Sequence, residues 1–109
     1  MLVLAGAIGG CAPEQSAAQS AQSEVDALGS AYIGCLARAA ATYDDRRSDA
    51  AAIGVKANDA CRLEFDRWLQ NRAKGLTPEE RRQFLEKMQP RGPKIATDVV
   101  IKVRAGAPQ

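Results

Sequence analysis

From Glu24 onward the apolar residues fall at Val25, Leu28, Tyr32, Cys35, Leu36, Ala39 and Tyr43. Steps of three and four place them on one side of a helix, so the spacing predicts an amphipathic helix over 24–43. Asp44-Asp45-Arg46-Arg47 then interrupts the pattern, and Ser48 followed by Asp49 offers an N-cap and a carboxylate for the positive end of a helix dipole. A second stripe carries Ile53, Ala57, Cys61, Phe65, Trp68 and Leu69, which predicts a helix to about Lys74, stopped by Gly75. Leu76-Thr77-Pro78-Glu79-Glu80 reads as a helix start, with Thr77 as N-cap, Pro78 in the first turn and Glu80 placed to close a capping box. That third helix runs to about Gln89 with Phe84, Leu85 and Met88 inward.

Pro90-Arg91-Gly92-Pro93 breaks the chain again. Beyond it the pattern is double: Ile95, Thr97, Val99, Ile101 and Val103 alternate as in a strand, while Ile95, Ala96, Val99, Val100 and Val103 form a helical stripe. A strand would have no partner within the chain, and Pro93, an Asp98–Lys102 pair and Gly106 favour a short helix over 95–105.

The first two helices decide the fate of two cysteines. If the first ends near Asp45, Cys35 lies about 15 Å from the turn, and Cys61 lies a similar distance along the returning helix. Both sit on the apolar stripes and come level in an antiparallel hairpin. The expected fold is therefore all-α, a small helical hairpin or bundle of three to four helices with one inter-helix disulfide, Cys35–Cys61. Closing the 27 residues from Cys35 to Cys61 would stabilise the fold by about 3.5 kcal/mol in the chain-entropy model. The alternative is a pair of buried thiols packed as small apolar groups.

Length makes such a staple matter. The chain has 109 residues, enough for one domain whose core is small and whose stability margin is thin. Aromatic residues make up only 5%, alanine is abundant and β-branched residues are scarce before Ile95, which again favours helix. The formal charge of +2 is divided unevenly. Residues 12–61 hold four Lys or Arg against seven Asp or Glu, and residues 62–109 hold eleven against six.

The N-terminus has a different character. Leu2 to Gly10 is an uncharged, largely apolar run, too short to span a bilayer and of the length of an export-signal core. It ends Ile8-Gly9-Gly10-Cys11, which resembles the lipobox of bacterial lipoproteins: a branched aliphatic residue, two small residues, then cysteine. The resemblance implies a signal peptide over 1–10, cleavage after Gly10, and lipidation of Cys11, the acyl chains (palmitate among them) holding the protein to a membrane. Ala12 follows the cysteine, where aspartate would favour inner-membrane retention, so the resemblance points to the periplasmic face of the outer membrane. The other reading of Cys11 is an ordinary thiol at an apolar N-terminus.

Residues 12–23, rich in Ala, Gln and Ser, have no large apolar side chain. They read as a tether, or as the solvated first turns of a longer first helix. The helical domain then covers 24–109. With Cys11 taken as the lipid site, the remaining cysteines form an even pair suited to an oxidising compartment. Cys35-Leu36-Ala37-Arg38-Ala39-Ala40 and Asp59-Ala60-Cys61-Arg62 also resemble a pattern in small exported proteobacterial proteins: a helix with Cys-Leu-x-x-Ala, a charged turn and an Ala-rich helix bearing cysteine. That resemblance covers about 40 residues and implies no particular activity. Leu76-Thr77 with Glu80 resembles the Leu-Thr-x-x-Gln motif of periplasmic stress and metal-response proteins. Glu80 stands where that motif has glutamine and no second copy occurs, so the helix start remains the reading.

Chemistry-bearing residues are few. There is no histidine, the commonest general base and metal ligand, and no glycine-rich phosphate loop. With Cys11 acylated and the other cysteines paired, no free thiolate is left for nucleophilic work or zinc. Asp44, Asp45 and Asp49 cluster, but their spacing fits no calcium loop, and a solvated helix-turn face is the reading. No catalytic residue, metal or cofactor is expected. The hint of a partner is basic: Arg62, Arg67, Arg72, Lys74, Arg81, Arg82 and Lys87 could present a positive surface to anionic lipid or an acidic envelope protein. Interleaved acidic residues make an ordinary solvated surface the alternative. The expected function is a non-enzymatic envelope lipoprotein, an accessory or interaction module. The competing readings are a soluble periplasmic chaperone-like or stress-response protein, which would expose an apolar groove and form a homodimer, and a cytosolic basic regulator. Only the last would make nucleic acid a partner.

Overall fold

The structure, a computed structural model, describes residues 4–106, with side chains from residue 19 onward. All regular elements among them are helical: α1 (Leu4–Tyr43), α2 (Ala50–Ala60), α3 (Arg62–Arg72), α4 (Pro78–Met88) and α5 (Arg91–Arg104). Because α2 and α3 follow each other along one bent rod, the five helices make four rods. The expected all-α bundle is the observed fold.

α1 begins at Leu4, well before Glu24, so residues 12–23 are the first turns of a longer helix in this structure. Ala and Gln are good helix formers and carry the helix through; residues 19–24 are exposed. At about 1.5 Å per residue, α1 is about 60 Å long and accounts for the longest dimension of the molecule, 67 Å.

The turn between α1 and α2 is built from side chain to backbone. Asp44 Oδ1 accepts from the Arg46 amide, and Asp45 Oδ1 accepts from the amides of Arg47 and Ser48. These bonds hold Arg46 at φ 59°, a left-handed conformation rare outside glycine. Ser48 Oγ donates to Asp45, so the hydroxyl expected to cap α2 serves the turn. Asp49 occupies the N-cap position without a side-chain capping bond.

The rod α2–α3 runs antiparallel to α1, as the paired contacts Ala40–Ile53, Cys35–Cys61, Tyr32–Phe65 and Glu24–Lys74 show. The expected single helix to Lys74 is interrupted at Cys61, whose φ of −108° and ψ of 24° leave the α region. α3 ends at Arg72, and Gly75 takes φ 86°. The Thr77–Glu80 capping box of α4 is complete, with Thr77 N donating to Glu80 Oε1 and Glu80 N donating to Thr77 Oγ1.

α5 settles the ambiguous C-terminal pattern as helix. It starts at Arg91, earlier than expected, because Pro93 falls within the first turn, where a missing N–H costs nothing. α5 packs antiparallel on α2 at very short range. A β-carbon at Gly54 would lie 2.8 Å from the Thr97 backbone nitrogen, and one at Gly92 would lie 2.8 Å from Asn58 Oδ1. Tyr32, Leu36, Ile53, Cys61, Leu69 and Val100 are the largest fully buried side chains. At their centre the Tyr32 hydroxyl donates to Asn58 Oδ1 at 2.5 Å and to the Gly92 carbonyl at 3.3 Å, tying α1, α2 and α5 together. Burial pushes the Tyr32 phenol well above its ordinary range. At the other end of α5, Arg104 clamps the turn: its guanidinium donates to both oxygens of Asp44 and to the Ser48 carbonyl. Only 6% of the Asp44 side chain is exposed.

Candidate functional site

The cysteines divide as the hairpin geometry requires. Cys35 and Cys61 form a disulfide with Cα atoms 6.0 Å apart, joining α1 to the junction of α2 and α3. Cys61 is fully buried and Cys35 is packed at the edge of the same core. Cys11 falls within α1, but its side chain and those of the remaining leader residues lie outside the described side chains. The whole of residues 1–3 lies outside the described residues.

The seven basic residues singled out above do not converge on one uncompensated patch. Arg62 pairs with Asp59, Lys74 with Glu24, and Arg82 with both Glu79 and Glu86. Arg81 donates to Gln70 Oε1 at 2.8 Å. Arg72 lays its guanidinium between two rings, 5.4 Å from the Trp68 centroid and 5.6 Å from that of Phe84. Arg67 and Lys87 are exposed and take part in none of these pairings. The Arg82 guanidinium holds Glu79 below its usual carboxylate range, and hydrogen bonds from Lys74 and Asn71 do the same for Glu24. These are exposed pairs, each contributing little to stability.

The acidic cluster is likewise occupied. Bonds from the Arg104 guanidinium and the Arg46 amide bring Asp44 down to about 2, and the Ser48 and Arg47 amides bring Asp45 to about 2. Both carboxylates thus hold the turn itself.

One feature escaped the sequence pattern. An open groove of about 990 Å³ lies between residues 22–34 of α1 and α3, with Val25, Gly29 and Ile33 on one wall and Trp68, Asn71 and Arg72 on the other. Trp68 belongs to the core stripe, yet it is only half-buried, stacked on Tyr32 with ring centroids 5.8 Å apart. The signal available beforehand was the pair of small residues, Gly29 and Ser30, opposite a large aromatic. A second, smaller hollow beside it is lined by Glu24, Leu28, Arg67 and Lys74. No helix among the described residues is long and apolar enough to cross a membrane.

Comparison with known proteins finds no matching family model, no matching curated protein and no matching solved structure.

Proposed function

We propose that this chain is a lipid-anchored accessory protein of the bacterial envelope, cleaved after Gly10, acylated on Cys11 and held at the periplasmic face of the outer membrane as a non-enzymatic interaction module. The observation that carries the reading is the division of the three cysteines. Two close a bridge within the core, the kind of bond that persists in oxidising compartments, and the third follows Ile8-Gly9-Gly10 at the end of an apolar run. Two acyl chains on one residue give durable attachment where a single chain gives marginal binding.

Cys11 and the bundle share one helix, which gives the anchor a mechanical meaning. The 13 residues from Cys11 to Glu24 amount to a stalk of about 20 Å between the lipid and the folded body. Arg67 and Lys87, exposed and outside the pairings above, are the cations available to an anionic lipid headgroup or an acidic envelope protein. Labelled palmitate supplied to cells expressing the full chain should enter the protein and be lost in Cys11→Ser. Equal labelling of the two forms, or none of either, would sink the reading.

The groove beside Trp68 favours a second reading, a periplasmic chaperone-like protein holding apolar segments of clients against Val25, Ile33 and Trp68. It predicts that the purified domain suppresses aggregation of a heat-denatured client and that Trp68→Ala abolishes the effect. No suppression at about tenfold molar excess retires that reading.

A further inference from the structure

We propose that Cys35, Cys61 and Glu64 form a zinc site whenever the disulfide is open, so that one set of side chains staples the fold covalently when oxidised and through a metal ion when reduced.

The two Sγ atoms and a Glu64 carboxylate oxygen all lie within 4.8 Å of one another. Cys61 and Glu64 are three residues apart at the start of α3, which puts them on one helical face, and Cys35 reaches them from α1. A tetrahedral zinc ion with Zn–S bonds of about 2.3 Å sets its ligands about 3.5–3.8 Å apart. The three side chains therefore need only small rotations, the sulfurs moving apart and the carboxylate moving in. Three protein ligands leave a fourth position for water. Two thiolates and one carboxylate select zinc over magnesium or calcium, which prefer all-oxygen shells.

A divalent cation suits the reduced state electrostatically once the thiols ionise. Opening the bond puts two ionisable sulfurs beside a carboxylate at a position where Cys61 is fully buried and Glu64 half-buried. Unpaired negative charge there is costly, and the positive end of the α3 dipole offsets only part of it. A divalent cation bound to all three removes the conflict. The chemistry balances simply. A dithiol reductant delivers two electrons and two protons to the Cys35–Cys61 bond and leaves as its own disulfide. Binding of zinc then releases the two thiol protons to water.

The inference is independent of the membrane anchor, and the test removes Cys11 from consideration. The full chain carrying Cys11→Ser is reduced with a dithiol, desalted under nitrogen and titrated with cobalt(II), whose thiolate charge-transfer and tetrahedral bands report the ligand set. Zinc affinity follows by displacement of cobalt. The expected result is one cobalt per chain in the reduced protein, none in the oxidised protein, and at least a tenfold loss of zinc affinity in Glu64→Gln, about the smallest effect of removing a supporting group at a metal site. Glu64 is partly exposed, so this variant keeps the fold, and far-UV circular dichroism checks it. Absence of cobalt bands from the reduced chain, folded or not, overturns the proposal. So does zinc binding in Glu64→Gln as tight as in the parent.

Discussion

The contact between α2 and α5 makes a sharp prediction because two glycines of the same bundle face opposite environments. A β-carbon at Gly54 would sit 2.7 Å from Thr97 Oγ1, 2.8 Å from the Thr97 nitrogen and 3.0 Å from its Cα. The nitrogen and Cα are backbone, so α5 itself must move. A β-carbon at Gly34, by contrast, would meet only the flexible Arg38 guanidinium, at 3.4 Å. Both glycines lie within helices, where alanine is favoured by about 1 kcal/mol. At Gly34 nothing opposes this gain, and Gly34→Ala should stabilise by up to about 1 kcal/mol. At Gly54 overpacking costs about 1–3 kcal/mol, and because backbone cannot yield as a side-chain tip does, the upper part of that range applies. After the propensity gain, Gly54→Ala should lose about 1–2 kcal/mol. For a domain of this size the melting temperature should then rise by about 4–8 °C in the first variant and fall by about 5–15 °C in the second. Calorimetry of both oxidised proteins at one pH makes the comparison. A stabilising Gly54→Ala would refute the close approach of α2 and α5.

The remaining predictions follow from the turn, the cap and the staple. Asp44 and Asp45 fall from 3.8 to about 2 on folding, so the stability they contribute is present above about pH 4 and is lost as pH drops toward 2. Acid titration followed by circular dichroism should show this limb, and Asp44→Asn should shrink it. Thr77→Ala removes one half of a complete capping box and should cost about 1 kcal/mol, with faster amide exchange at the start of α4. Reduction without added metal should lower stability by about 3.5 kcal/mol in denaturant titrations monitored by Trp68 fluorescence. A change below about 1 kcal/mol would mean that the open chain keeps its loop closed by packing alone.

How much of this could be read beforehand varied with the kind of signal. Most of the α1 face and the start of α4 were legible because burial and capping are local and periodic: Tyr32 and Leu36 are fully buried where the stripe places them, although Tyr43 at its end is exposed, and Thr77 and Glu80 close their box as spaced. The Cys35–Cys61 bridge was legible because antiparallel helices joined by a short turn bring residues equidistant from that turn level. Three features were not. The helix before Glu24 has only backbone propensity as its sequence signal, and a polar Ala/Gln/Ser tract reads equally as a tether. The break at Cys61 leaves no trace in a stripe that continues across it, since a bend in a rod preserves its buried side. The Tyr32–Asn58–Gly92 bonds join residues up to 60 positions apart, and nothing local marks Asn58 Oδ1 or the Gly92 carbonyl as acceptors. The Ser48 hydroxyl was misassigned for a related reason: Asp45 competes for it one turn earlier. Of the candidate site, Asp59, Glu79 and Glu86 lie one helical turn from Arg62 and Arg82, a spacing visible in the sequence, whereas Glu24 is brought to Lys74 by tertiary structure alone.

The most direct test of the central claim is the intact mass and membrane fractionation of the protein expressed from its own locus with the upstream DNA retained. The expected product is an outer-membrane species beginning at Cys11, heavier by its acyl chains and containing no alkylatable thiol at Cys35 or Cys61. A soluble, unmodified chain that retains Met1 and three free thiols would contradict it.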